Sequence, residues 1–262
     1  MAFSDHFSGV ASEYAEFRPL YPEPLFDWLA GLAPRREVAW DCATGSGQAA
    51  VALASRFERV IATDASAGQV GVASPHARVE YRVAPAEASG LPPASVDLVT
   101  VAQALHWFDR PAFYAEARRV LRPGGVVAAW TYGHPSIDEP RADLLLQRFY
   151  SDTVGPYWPR ERALVDAAYR TIDFPFPEVA PPPFEMETSW PLAALVGYVA
   201  TWSSVTRFRA VKGNDPVAPF AEALAGAWGD PRRARRISWP LALRVGRGDR
   251  PPGRPAAASL FK

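Results

Sequence analysis

The chain of 262 residues contains a single cysteine, Cys42. One thiol excludes an intramolecular disulfide and any multi-cysteine metal cluster, and no metal site is expected. Net charge is missing too: 28 Lys+Arg offset 28 Asp+Glu. Without a global field there is nothing to gather nucleic acid or an anionic membrane surface. No window approaches the roughly 18 apolar residues of a membrane span. The opening Met-Ala-Phe-Ser-Asp-His-Phe has neither the basic head nor the apolar run of an export signal, so a cytoplasmic location is the expectation. No internal repeat is visible. These absences leave a small molecule as the expected partner and say nothing of oligomeric state. Proline is the residue in excess, with 27.

The chain is organised around residues 38–51 (VAWDCATGSGQAAV). An apolar run reads as a buried strand. Thr44-Gly45-Ser46-Gly47 turns it, and Ala-rich sequence with Val51, Ala54 and Phe57 at helical spacing leaves as a helix. Strand, glycine turn and helix make a nucleotide-binding corner, because backbone without Cβ lets a ligand approach closely.

Two ligands fit such a corner. Gly45-x-Gly47-x-x-Ala50, with the acid Asp64 about 20 residues on, satisfies the dinucleotide fingerprint and would hold a pyrophosphate. Asp41, just before the turn, opposes that: a carboxylate beside a pyrophosphate is repulsive in a low-dielectric cleft. A sulfonium with an ammonium would be attracted there. On charge, Asp41 favours S-adenosylmethionine over a nicotinamide dinucleotide.

Asp41-x-Ala43-x-Gly45-x-Gly47 resembles the first motif of class I S-adenosylmethionine-dependent methyltransferases, with Ala43 where most members have Gly. Gln103-Ala-Leu-His106-Trp107-Phe108, together with Tyr14-x-x-x-Arg18-Pro-x-Tyr-Pro22, resembles the subgroup of trans-aconitate methyltransferase and its fungal relatives. The likeness implies a doubly wound α/β Rossmann-like fold. Its seven-stranded sheet would be mostly parallel with an antiparallel last strand, helices on both faces, and a helical cap inserted after strand five. It divides the chain into N-terminal cofactor-covering helices (1–34), a cofactor-binding core (35–132), the cap (133–183), strands and helices completing the sheet (184–247) and a Pro/Gly/Ala-rich tail expected to be disordered (248–262).

The same resemblance assigns site residues. The cofactor would meet Asp41, Ala43, Gly45, Ser46 and Gly47 at the first turn. Asp64, with Ala65, would take the ribose hydroxyls, since a carboxylate accepts two hydrogen bonds and offers no competing donor. Ala86 and Glu87, after the strand Val79–Val83, would hold the adenine. Gln103 and Ala104 lie beyond the strand Ser95–Val101. From the N-terminal helix Tyr14 is either a cofactor contact or core, and Arg18 either meets the cofactor carboxylate or caps its helix. Asp64 has a plainer reading as a helix N-cap.

In a doubly wound sheet the ligand lies beyond the carboxyl ends of the strands. His106, Trp107 and Tyr132 are therefore the candidate acceptor-site residues. His106 is a base or an orienting group, because its reference pKa is near neutral; a buried histidine satisfied by backbone is the plainer alternative. Tyr150, Tyr157, Trp158 and Tyr169 of the cap read as a satellite core first and as pocket lining second. No Asp-Pro-Pro-Tyr-like tetrapeptide follows the fourth strand, which argues against a nucleic-acid amine as acceptor. The function expected is methyl transfer to a small, carboxylate-bearing molecule. The alternatives are a nicotinamide-dependent oxidoreductase and a non-catalytic S-adenosylmethionine-binding module.

Overall fold

The structure is a computed structural model, and residues 19–248 are described. Tyr14, Arg18 and the tail beyond Gly248 lie outside them.

The elements alternate as the sequence predicts. Helix α1 (Glu23–Leu32) precedes β1 (Val38–Cys42), α2 (Gln48–Ala54), β2 (Arg59–Asp64), the short α3 (Ala67–Gly71), β3 (Val79–Val83), β4 (Val96–Ala102), α4 (Arg110–Val120) and β5 (Leu121–Tyr132). These five strands are parallel and lie in the order β3-β2-β1-β4-β5. The central strands β1, β4 and β5 are mostly buried and apolar because parallel strands are covered on both faces, whereas the edge strand β3 is only half-buried. On one face Leu25, Phe26 and Leu29 of α1 and Leu53 of α2 pack on Leu98, Val126 and Trp130. On the other, Phe113, Ala117 and Val120 of α4 pack on Trp40, Val99 and Val127. Helix α4 starts where Asp109 accepts from Ala112 N–H at 3.3 Å, an ordinary N-cap.

The second half departs from the expectation in three ways. The sheet has eight strands, not seven. The extra one is the two-residue β6 (Ser136–Ile137), which pairs with β8 (Arg235–Arg247), as does β7 (Phe184–Trp190). The long β8 is the expected antiparallel last strand, running against both β5 and β7, but Pro240 sits inside it opposite Glu185 rather than at its start or at a bulge. The residue after it, Leu241, is where pairing with β5 begins.

Helices also differ. The stretch after Pro191 forms two helices, α7 (Leu192–Ala200) and α8 (Ser203–Lys212), before α9 (Val217–Trp228). Residues 133–183 hold α5 (Pro140–Arg148) and only one further α-helical turn and a half, α6 (Arg162–Asp166). They also divide between two cores. Phe149 and Val154 join the cluster of α7, α8 and α9. Val165, Tyr169, Ile172, Phe174 and Phe176 pack into the α4 face of the sheet itself. Arg244 of β8 fixes that second half: its Nη1 donates to the carbonyls of Tyr169 and Ile172, both at 2.8 Å, and its other nitrogens grip Glu178.

Candidate functional site

The strand order reverses between β1 and β4, and the carboxyl ends of those strands carry the candidate residues. Asp41, next to last in β1, lies directly opposite Thr100 of β4. Beyond Asp41 the chain turns with Ala43 (φ 55°), Gly45 (φ 56°) and Gly47 (φ 85°), three left-handed residues within five positions. Gly45 and Gly47 take this backbone without penalty, whereas Ala43 carries the strain of its Cβ. A Cβ on Gly45 would point into open space, with nothing nearer than Gln69 at 3.9 Å. A Cβ on Gly47 would overlap the Tyr81 hydroxyl.

Asp41 is fully buried rather than exposed on the cleft floor as the charge argument supposed. Its Oδ2 accepts from Thr44 Oγ1 at 2.6 Å and its Oδ1 from Thr100 Oγ1 at 2.7 Å. Burial pushes its pKa up to about 6, against the opposing pull of those two hydroxyls. At neutral pH it is still mainly ionised. Among the described residues no cation pairs with it. An unpaired buried carboxylate beneath a ligand-binding turn favours a cation above it and disfavours a phosphate. A charge so placed would act on a ligand through the loop rather than by contact.

Asp64 ends β2 and faces the same turn. Its Oδ2 accepts from Gly45 N–H and its Oδ1 from Ser66 N–H, both at 2.9 Å. The helix-capping role weighed for Asp64 falls to Ser66, whose Oγ accepts from Gln69 N–H at 3.3 Å. Ser46 and Ala65 flank these contacts and are half-buried. Ala86 is buried, and Glu87 turns toward the chain itself, its Oε1 accepting from Asp109 N–H at 3.0 Å. The loop holding both is pinned by Glu116 of α4, which accepts from Ser89 N–H at 2.9 Å.

Gln103 leaves β4 in left-handed backbone (φ 56°), its amide Nε2 donating to Tyr132 O at 3.0 Å and its Oε1 accepting from Thr131. Ala104 is buried behind it. His106 is half-buried, with Nδ1 2.8 Å from the hydroxyl of Tyr169. Burial, then Arg162 and Arg110, lower its pKa to about 3. A group that resists protonation so strongly is a weak base. Trp107 is 37 % exposed and lies against the His106 ring.

Tyr132 does line a cavity, of about 610 Å³, with Thr131, Tyr150, Asp166, Ala168 and Leu241. A second of about 450 Å³ adjoins it through Tyr150, Ser151 and Asp166, and Arg162 lines its wall. Arg162 stacks on Trp158 with its guanidinium carbon 4.5 Å from the ring centroid, and its Nε donates to Tyr150 Oη at 2.8 Å and Asp166 at 3.1 Å.

Sequence reasoning missed Thr100, Thr131, Arg162 and Arg244, and ranked Tyr169 as core. Thr100 left a trace, a polar residue inside the apolar run Val96–Ala102. The others left none, because their partners are distant in sequence.

Comparisons with known proteins bear on this geometry. The methyltransferase-domain family matches residues 40–129. A proposed methyltransferase of Dictyostelium discoideum is 35% identical over 229 residues, spanning 86% of this chain and 87% of that protein. Methyltransferase cfoB of Aspergillus candidus is 28% identical over 199 residues, 66% of this chain and 62% of that one. The structure of a proposed type II methyltransferase from Anaeromyxobacter dehalogenans is 52% identical, with a TM-score of 0.84 over 88% of this chain and 98% of that chain. Among the described residues no helix is long and apolar enough to cross a membrane, and no group of three His, Cys, Asp or Glu gathers for a metal.

Proposed function

This chain belongs to the class I S-adenosylmethionine-dependent methyltransferases, and on that premise we propose that it methylates a small molecule seated in the cavity beside Tyr132. Its cofactor is S-adenosylmethionine. The observation that carries the cofactor's seat is the unpaired, buried carboxylate of Asp41 beneath the left-handed Gly45–Gly47 turn. The open face of Gly45 and the carboxylate of Asp64 fit an adenosine with free ribose hydroxyls, and the charge of Asp41 buried beneath the turn fits its cationic end.

The residues that would hold the cofactor are therefore Ala43, Gly45, Ser46 and Gly47 by backbone, Asp64 and Ala65 at the ribose, and Ala86 and Glu87 at the adenine edge. Gln103 and Ala104 would line its reacting end. Held by these residues, S-adenosylmethionine would supply an electrophilic methyl carbon to the acceptor and a thioether leaving group. The departing thioether is neutral, so no residue of the chain has to protonate it. What the chain contributes is alignment and exclusion of water, worth on the order of 7–11 kcal/mol in well-oriented reactions.

The finer reading is that the acceptor bears a carboxylate. A carboxylate is already ionised and needs no base, which suits a site where burial lowers the pKa of His106 to about 3 and also lowers that of His134, which lines the cavity. Arg162, in the wall of the smaller cavity, is the cation that would meet it.

Thermal shift with S-adenosylmethionine, S-adenosylhomocysteine and NADH tests the seat: the first two should raise the melting temperature and NADH should not. Stabilisation by NADH alone would return the dinucleotide reading. Methyl transfer from labelled cofactor across panels of carboxylic acids, phenols and amines tests the acceptor. Turnover confined to phenols or amines overturns the carboxylate, and no turnover with tight cofactor binding points to a binding module.

A further inference from the structure

Tyr169 has no exposed surface, yet its hydroxyl stands 2.8 Å from His106 Nδ1 across 63 residues of sequence. A buried hydroxyl has one proton and must place it on an acceptor. The groups that approach its oxygen are the amides of Leu105 and His106 and the hydroxyl of Thr131. The amides can only donate. The single proton of Thr131 is already given to Gln103 Oε1. The Gln103 amide is itself oriented, because its nitrogen donates to the Tyr132 carbonyl. Thr131 Oγ1 could accept as well, but the contact the Tyr169 oxygen makes at short hydrogen-bond distance is with the ring nitrogen of His106, at 2.8 Å.

We propose that Tyr169 is a positioning residue of the methyl-acceptor site. Its hydroxyl donates to His106 Nδ1 and holds the imidazole as the neutral tautomer protonated on Nε2, so that His106 meets the acceptor as a hydrogen-bond donor and not as a base.

The surrounding backbone is built to keep this arrangement. Five described non-glycine residues have left-handed φ, and three of them are Gln103 (56°), Ala168 (53°) and Tyr169 (56°). Such backbone costs of order 1–3 kcal/mol per residue and persists only where the surroundings over-determine it. Here Arg244 supplies the determination, clamping the Tyr169 and Ile172 carbonyls from β8. Burial raises the Tyr169 hydroxyl well above an ordinary phenol, so it keeps its proton. Nε2 of His106 has no hydrogen-bond partner among the described residues and is not sealed from solvent. A donor there is complementary to an acceptor that arrives without a proton to lose. The tautomer rests on the structure alone; only its meaning for an acceptor rests on the methyltransfer reading.

Long-range 1H–15N correlation of the imidazoles in the full-length 15N-labelled protein tests this without any acceptor. The chain has four histidines, and His106→Gln identifies the signal in question. His106 should carry its proton on Nε2 and show no titration between about pH 5 and about pH 9. Tyr169→Phe, which conserves volume, should release the ring into a mixture of tautomers. A proton on Nδ1 in the wild type, a midpoint near the reference value of about 6.5, or a spectrum unchanged in Tyr169→Phe would overturn the proposal. Should that variant not fold, the wild-type spectrum decides alone. Failure of S-adenosylmethionine to stabilise the protein would sink the cofactor seat and leave the tautomer result standing.

Discussion

The backbone N–H of Gly45 donates to Asp64 Oδ2 at 2.9 Å, joining the turn after β1 to the end of β2. The two acidic motifs are thus one structure: the acid proposed for the ribose also holds the turn open at its left-handed glycine. Asp64→Asn keeps one carbonyl oxygen but loses the charge, and hydrogen bonds to charged groups contribute about 1.5–3 kcal/mol. Calorimetric titration should show S-adenosylmethionine affinity falling about tenfold or more. Wild-type affinity in this variant would remove Asp64 from the site.

Gly47 is held by conformation and by space. Gly47→Ala places an L side chain at φ 85°, costing about 1–2 kcal/mol, and drives its Cβ into Tyr81 Oη. The melting temperature should fall. Adding Tyr81→Phe should restore only the part due to the clash. Full restoration by the double variant would show that the backbone conformation carries no cost.

Asp41 gives a pH signature. Its native pKa of about 6 lies above the ordinary value of 3.8, so the native state binds the proton more tightly than the unfolded chain does. Between these values stability falls as pH rises, by on the order of 3 kcal/mol in all, and the penalty is complete above about pH 6. Asp41→Asn removes that dependence. Denaturation at a series of pH values should show the variant gaining on the wild type from about pH 4 to about pH 7, while losing cofactor affinity. A constant difference between the two proteins would contradict the burial of this charge.

Glu116 shows the opposite sign. Arg119 first, then Ser89, hold its pKa down to about 2 against the cost of burial. Its contribution is present above the ordinary carboxylate value of 4.5 and is lost as pH falls toward about 2. Glu116→Gln should therefore loosen the Ala86–Glu87 loop, read as faster amide exchange at Ser89 and Leu91. Unchanged exchange would mean the loop is held by its own packing.

Ser151 is exposed and borders both cavities. Ser151→Trp should obstruct the acceptor's seat at little cost to folding. With an acceptor in hand, KM for it should rise several-fold while the Kd for S-adenosylmethionine stays the same. An unchanged KM would put the acceptor elsewhere.

What the sequence by itself determined was local. The apolar run from Val38, the glycines at 45 and 47 and the acids at 41 and 64 each report a backbone need or a charge within a few residues, and they specified the strand–turn–helix corner proposed for the cofactor. The tertiary structure decided everything that joins distant segments. It placed Asp41 under the turn because Thr100 lies opposite in the neighbouring strand. It brought Tyr169 to His106 by packing half of the expected cap onto the sheet and clamping it with Arg244. Such contacts leave no periodicity or spacing to read, since burial and hydrogen-bond pairing across many residues are properties of the folded chain and not of any stretch of it.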